Sequence, residues 1–126
     1  MKIQVRNADN ISVIDCAGEV DLYSSPGLRE TLLKELQSGV PSVLVNMSDV
    51  SYIDSSGIAT LVEGLQLSRQ TQTHFGLYGL RHNARSVLEL ARLNKVFAIF
   101  ENEQEALERI STVQPFTGLS ATKPGS

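Results

Sequence analysis

A single cysteine, two histidines, no excess of positive charge and no long apolar run deprive this 126-residue chain of several chemistries. Cys16 alone cannot close an internal disulfide or build a cysteine-based zinc cage, and it lies in an apolar stretch, which fits a reducing, cytoplasmic setting. Neither His74 nor His82 stands at metal-ligand spacing from a second histidine or from the cysteine, so no metal site is expected. Eleven lysines and arginines against fourteen acidic residues give a net charge of −3, so no positive field draws the chain onto nucleic acid or an anionic membrane. No segment approaches the roughly 18 apolar residues of a membrane span. The start MKIQVRNADN lacks the apolar run of a signal peptide, and the reading expects a soluble protein that is neither inserted nor exported. Also missing are the G-x-S-x-G elbow and the glycine-rich loops that cradle phosphates, so hydrolase and nucleotide-binding readings lose their usual support. The expectation is a protein without catalytic residues or cofactor. His74 reads as an ordinary strand or loop residue and His82 as a solvated residue at a helix start, because general-base work needs a bonded partner that the sequence does not display.

What is present is enough apolar mass, 41% of residues, for one ordinary core. Ile3 and Val5 alternate with polar neighbours, residues 7 to 10 are turn formers, and residues 11 to 17 resume a strand pattern, which predicts an opening hairpin. Ser24 and Ser25 before Pro26 predict a helix start, with Leu28, Leu32, Leu33 and Leu36 on one face and an end near Gly39, Val40 and Pro41. Gly27 is the one unhelpful residue there. Residues 43 to 47 are short, β-branched and nearly all apolar, as for a central strand covered on both faces. A strand-to-loop stretch then leads to a second helix starting near Ser55 or Ser56, with Ile58, Leu61, Val62 and Leu65 inward. Residues 74 to 78 read as a strand, 83 to 93 as a helix with Val87, Leu88 and Ala91 inward, and 97 to 100 as a last strand. Asn102 and Glu105 resemble a capping box for a final helix carrying Ala106, Leu107 and Ile110. The order ββαβαβαβα predicts an α/β layer fold over residues 1–114, with mostly parallel pairing after the hairpin. Residues 115–126 are rich in turn formers and read as a disordered tail. The mixed charges of Arg85, Glu89, Arg92 and residues 101 to 109 read as a solvated face.

The motif with chemical content is Asp54-Ser55-Ser56-Gly57, where the chain enters the second helix. Serine and aspartate are preferred N-caps, and capping alone accounts for them in the absence of other context. A phosphate on a serine here would meet free backbone N–H groups and the positive end of the helix dipole, worth about 0.3 to 1 kcal/mol. The same phosphate adds roughly −1.5 to −2 charges beside Asp54, on a surface that a partner must desolvate. A change in charge there can switch binding and leave the fold intact.

These residues resemble the STAS domains, and within them the bacterial anti-sigma factor antagonists. The resemblance covers about residues 3 to 112. Gly18-Glu19-Val20-Asp21 matches the family's G-E-[LIV]-D step, and Asp54-Ser55-Ser56-Gly57 matches its more specific D-S-[ST]-G signature. It implies a small mixed sheet with helices packed mainly on one side. It further implies Ser55 as phosphoacceptor, with Asp21, Asp54, Ser56 and Gly57 on the partner-binding surface. The implied partners are an anti-sigma factor with serine kinase activity, bound in the unphosphorylated state so that a sigma factor is released, and a phosphatase that reverses the modification. The tail after Gln114 has no counterpart in the minimal family domain. Two alternatives stay open. One keeps the fold as a subunit of a lipid-transport ATPase complex or a stressosome-like scaffold. The other is receiver-like, with Asp54 accepting phosphate, but the magnesium ligands it needs are missing: Asp15, Glu19 and Asp21 make no adjacent acidic pair, and no lysine directly follows the last predicted strand.

Overall fold

A computed structural model describes residues 1–113, so the expectation of a disordered tail over 115–126 lies outside the described residues. Nine regular elements follow in the order β1 (Lys2–Ala8), β2 (Ile11–Val20), α1 (Ser25–Leu36), β3 (Ser42–Ile53), α2 (Ser55–Thr71), β4 (His74–Tyr78), α3 (His82–Leu90), β5 (Ala98–Phe100) and α4 (Glu103–Arg109), before a 3-10 turn over Ile110–Thr112. The strands form one five-stranded sheet in the order β1-β2-β3-β4-β5. Only the first pair is antiparallel; β2 with β3, β3 with β4 and β4 with β5 are parallel, joined by helical crossovers. This is the predicted ββαβαβαβα mixed α/β fold.

Alternation along β3 decides how the layers divide. Val43, Val45 and Met47 point into the larger core with Leu28, Leu32 and Leu36 of α1, Leu61 and Leu65 of α2, and Ala84 and Leu88 of α3. Leu44 points the other way and joins Val13, Tyr78, Phe100, Ala106 and Ile110 beneath α4. Three helices thus cover one face and the short α4 the other. Burying each of these leucines contributes roughly 1.5 to 3 kcal/mol relative to leaving it in water. The two long helices meet through Gly64, where an added Cβ would lie 2.5 Å from Leu32 Cδ2.

Several local expectations are corrected. β3 does not stop near Met47 but runs to Ile53. It carries two extra residues relative to β2, because the register steps from Asp15↔Asn46 to Ala17↔Asp49 and again from Gly18↔Val50 to Glu19↔Tyr52. These bulges leave Met47, Val50 and Ile53 as the buried residues of the second half, a spacing of three that hides a strand from a search for alternation. Ser24 makes no side-chain cap on α1, which ends at Leu36 with Leu33 only half-buried. α3 ends at Leu90, so Ala91 is exposed and Ala84 takes the inward place beside Leu88. At α4, Asn102 Oδ1 accepts from Glu105 N at 2.9 Å as a capping box requires, but Glu105 Oε1 accepts from Glu101 N rather than Asn102 N.

Glu103 does not belong to a simply solvated face. Arg6 Nη2 donates to Glu103 Oε1 at 2.7 Å and to Asp15 Oδ1 at 2.9 Å, Tyr78 Oη donates to Glu103 Oε1 at 2.7 Å, and Asn46 Nδ2 donates to Asp15 Oδ1 at 2.8 Å. The network ties edge strand β1 to α4 across the sheet. Arg6 holds both carboxyls below their usual range, with Asn46 adding to the effect on Asp15 and Tyr78 to that on Glu103. Carboxyls with lowered folded-state pKa values stabilise the protein above their unfolded values, about 3.9 and 4.3, and that stability is lost as pH falls through the folded ones. The unfolding free energy lost in Arg6→Met is therefore expected to be largest near pH 7 and to shrink below about pH 4. Urea unfolding across a pH series checks this, and a difference independent of pH would contradict it.

Candidate functional site

Parallel pairing places the loops that leave β2, β3 and β4 at the same end of the sheet, and the β3 to α2 corner lies between the other two. Its backbone is tied on both sides. Asp54 N donates to Val20 O at 3.1 Å, which fastens the corner to the end of β2, and Ile53 N donates to Asn83 Oδ1 at 2.8 Å, which fastens it to α3.

Asp54 is the N-cap of α2. Its Oδ1 accepts from Ser56 Oγ at 2.6 Å, Ser56 N at 3.0 Å and Gly57 N at 3.2 Å. The Ser56 hydroxyl, the Gly57 and Ser56 amides and the Leu22 amide all favour the carboxylate, so its pKa lies below the ordinary value. Ser56 is therefore committed to the cap. Ser55, one residue earlier, is exposed, and its hydroxyl has no hydrogen-bond partner among the described residues.

This geometry revises one expectation about a phosphate. Of the four N–H groups that open α2, those of Asp54, Ser56 and Gly57 are already bonded, and only that of Ser55 lacks a partner among the described residues. A phosphate on Ser55 would therefore meet one free donor and a neighbouring carboxylate rather than an empty helix end.

Gly57 is buried, and a Cβ there would lie 2.5 Å from Ile53 Cγ1 and 2.8 Å from Val20 Cγ1. It lets α2 start directly against the ends of β2 and β3. Gly18 has φ +112°, a left-handed conformation that strains any other residue, and Met1 Cα crowds its Cβ position at 3.3 Å. Beyond it Asp21 organises the β2 to α1 turn. Asp21 Oδ1 accepts from Tyr23 N and Ser24 N, each at 3.0 Å, while Ser24 Oγ donates to Glu19 O at 2.7 Å.

The structure thus brings Asp21, Asp54, Ser55, Ser56 and Gly57 into one corner, with Ser55 outermost. Beside them lies apolar surface that the signature residues do not announce: Leu22, Tyr23 and Tyr52 are all exposed. A signal did exist, since Leu22 and Tyr23 are consecutive large residues between a strand end and a helix start, where no core face can receive both.

Elsewhere the candidates are plain. His74 Nδ1 bonds Val113 O, and His82 is exposed at the first position of α3. Cys16 is buried, which pushes its thiol up to about 12. No cluster of metal-ligating side chains occurs among the described residues, and no helix among them is long and apolar enough to cross a membrane.

A mixed sheet with an outward-facing serine beside the capped start of its central crossover helix defines a small α/β domain whose signature residues converge on one exposed hydroxyl. The sequence model of the STAS domain family matches residues 2–106, and the chain belongs to that family. It is 29% identical over 106 residues to the anti-sigma-B factor antagonist of Listeria monocytogenes, covering 83% of this chain and 91% of the relative. Among solved structures it resembles an anti-sigma factor antagonist STAS domain protein from Planctomyces limnophilus, with a TM-score of 0.80, 24% identity and coverage of 86% and 97% of the two chains. It also resembles the Bacillus cell fate determinant SpoIIAA in its phosphorylated form, with a TM-score of 0.70, 20% identity and coverage of 86% and 99%.

Proposed function

We propose that this protein is an anti-sigma factor antagonist. Unmodified, it binds an anti-sigma factor that is also a serine kinase, so that a sigma factor is released. Phosphorylation of Ser55 ends the complex and a phosphatase restores it. In the modifying step Ser55 Oγ bonds to the γ-phosphorus of ATP, the bond from that phosphorus to the β,γ-bridging oxygen breaks, ADP leaves, and the hydroxyl proton passes to a base on the kinase. The observation that carries the reading is the contrast between neighbouring hydroxyls: Ser56 Oγ is held by Asp54 at 2.6 Å, whereas Ser55 is exposed and uncommitted. The names of the relatives point the same way. Asp54 is a poor acceptor for the receiver-like alternative, since its carboxylate is occupied in capping α2.

The test is to incubate the full chain with ATP and its cognate kinase and to map the product by mass spectrometry. One phosphate is expected, on Ser55, stable to hydroxylamine and absent from Ser55→Ala. Undiminished modification of Ser55→Ala, or a hydroxylamine-labile phosphate, would overturn the assignment.

A further inference from the structure

Leu22 is 67% exposed and Tyr23 89% exposed, yet the turn that presents them is held firmly. Besides the bonds from Tyr23 N and Ser24 N to Asp21 Oδ1, Asp21 N donates to Ser24 Oγ at 2.9 Å and Ser25 N donates to Asp21 O at 2.8 Å. Two large apolar side chains are thus displayed in water on a preorganised backbone, where they pack into no core. Tyrosine loses little conformational freedom on binding and is enriched among the residues that dominate interface energies. The turn is also joined to the acceptor corner, because Asp54 N donates to Val20 O at 3.1 Å, just before Asp21 and Leu22. Fixing the turn against another molecule therefore fixes the place of Ser55.

The surroundings specify the other side. Residues 18 to 24 and 52 to 57 carry Glu19, Asp21 and Asp54 and no lysine or arginine, whereas Asp49 lies apart, in a groove with Lys2 and Arg6. Next to Tyr23 a groove of about 600 Å³ has Met1 and Ile3 among its walls and Glu19 and Asp21 at its polar side. Apolar surface flanked by Glu19 and Asp21 is complementary to an apolar pocket flanked by cationic side chains, whose long stems can lie along the groove.

We propose that Leu22 and Tyr23 are the apolar anchor by which the protein partner that modifies Ser55 is held, and that this partner receives them in an apolar pocket rimmed by lysine or arginine. The proposal rests on Ser55 being the modified residue. It is tested by steady-state phosphorylation of the full chain by that kinase with ATP. Tyr23→Ala and Leu22→Ala are each expected to raise KM for the protein substrate by about fivefold or more, with kcat within about twofold of wild type. Tyr23→Phe keeps the wild-type KM, and added salt raises KM. Both alanine variants keep the wild-type Tm, because the side chains they remove stand in solvent. Wild-type KM in both, or a fall in kcat alone, overturns this proposal while leaving Ser55 as acceptor. Absence of phosphate on Ser55 in the wild type overturns the parent reading, and this one with it.

Discussion

Ser55→Asp is expected to weaken binding of the serine kinase by at least about tenfold, a cost of about 1.4 kcal/mol or more, while Ser55→Ala retains wild-type affinity. The alanine variant removes a hydroxyl that has no partner among the described residues, so neither the cap nor the corner changes. The aspartate adds a full negative charge beside Asp54, in a segment whose charged residues are all acidic. Like charges brought together in a desolvated interface cost several kcal/mol, and phosphate, with roughly −1.5 to −2 charges, costs more than aspartate. Calorimetric titration of the kinase with both variants checks this. Because screening acts on exposed charge, the difference between them is expected to narrow as salt rises from about 0.1 M toward 1 M, where the Debye length falls from about 10 Å to about 3 Å. Equal affinities at low salt would exclude electrostatic gating.

The second large effect is expected at Gly57. Alanine in the first turn of α2 gains up to about 1 kcal/mol in helix propensity over glycine. Against this, its Cβ would lie 2.5 Å from Ile53 Cγ1 and 2.8 Å from Val20 Cγ1, and both residues are fully buried. Valine and isoleucine are stiff at χ1, so neither can swing aside, and overpacking of this kind costs about 1 to 3 kcal/mol. Gly57→Ala is expected to lower the unfolding free energy by about 1 to 2 kcal/mol, and Gly57→Val by more. Ile53→Ala should create room, so the double variant Gly57→Ala with Ile53→Ala is expected to be more stable than the sum of the single losses. Urea unfolding of the four proteins measures this coupling. Additive losses would show that the clash relaxes by another route.

Much of the architecture is legible in the sequence because its periodicities are local. The hairpin, the leucines of α1 and α2 and the apolar run of residues 43 to 47 each announce an element through spacing alone. The second half of β3 does not, since two bulges against β2 replace alternation with a spacing of three, and bulges are a property of the pair rather than of either strand. The role of Glu103 is hidden for a similar reason. Its neighbours in sequence are charged and exposed, but its partner Arg6 is 97 residues away, on the opposite edge strand.

At the corner itself the sequence determined that an aspartate, two serines and a glycine open a helix, since capping preference is written in residue type. It could not decide which serine is free. That follows from the Asp54 carboxylate turning into the first turn of α2, where it binds the Ser56 hydroxyl and two amides and leaves Ser55 facing solvent. Nor could residue spacing, apart from the family resemblance, place Asp21 next to Asp54, or leave Leu22 and Tyr23 uncovered. Those relations arise only when β2 and β3 pair in parallel and carry the ends of both strands to the same edge of the molecule, because proximity between distant residues is made by the sheet and not by the chain.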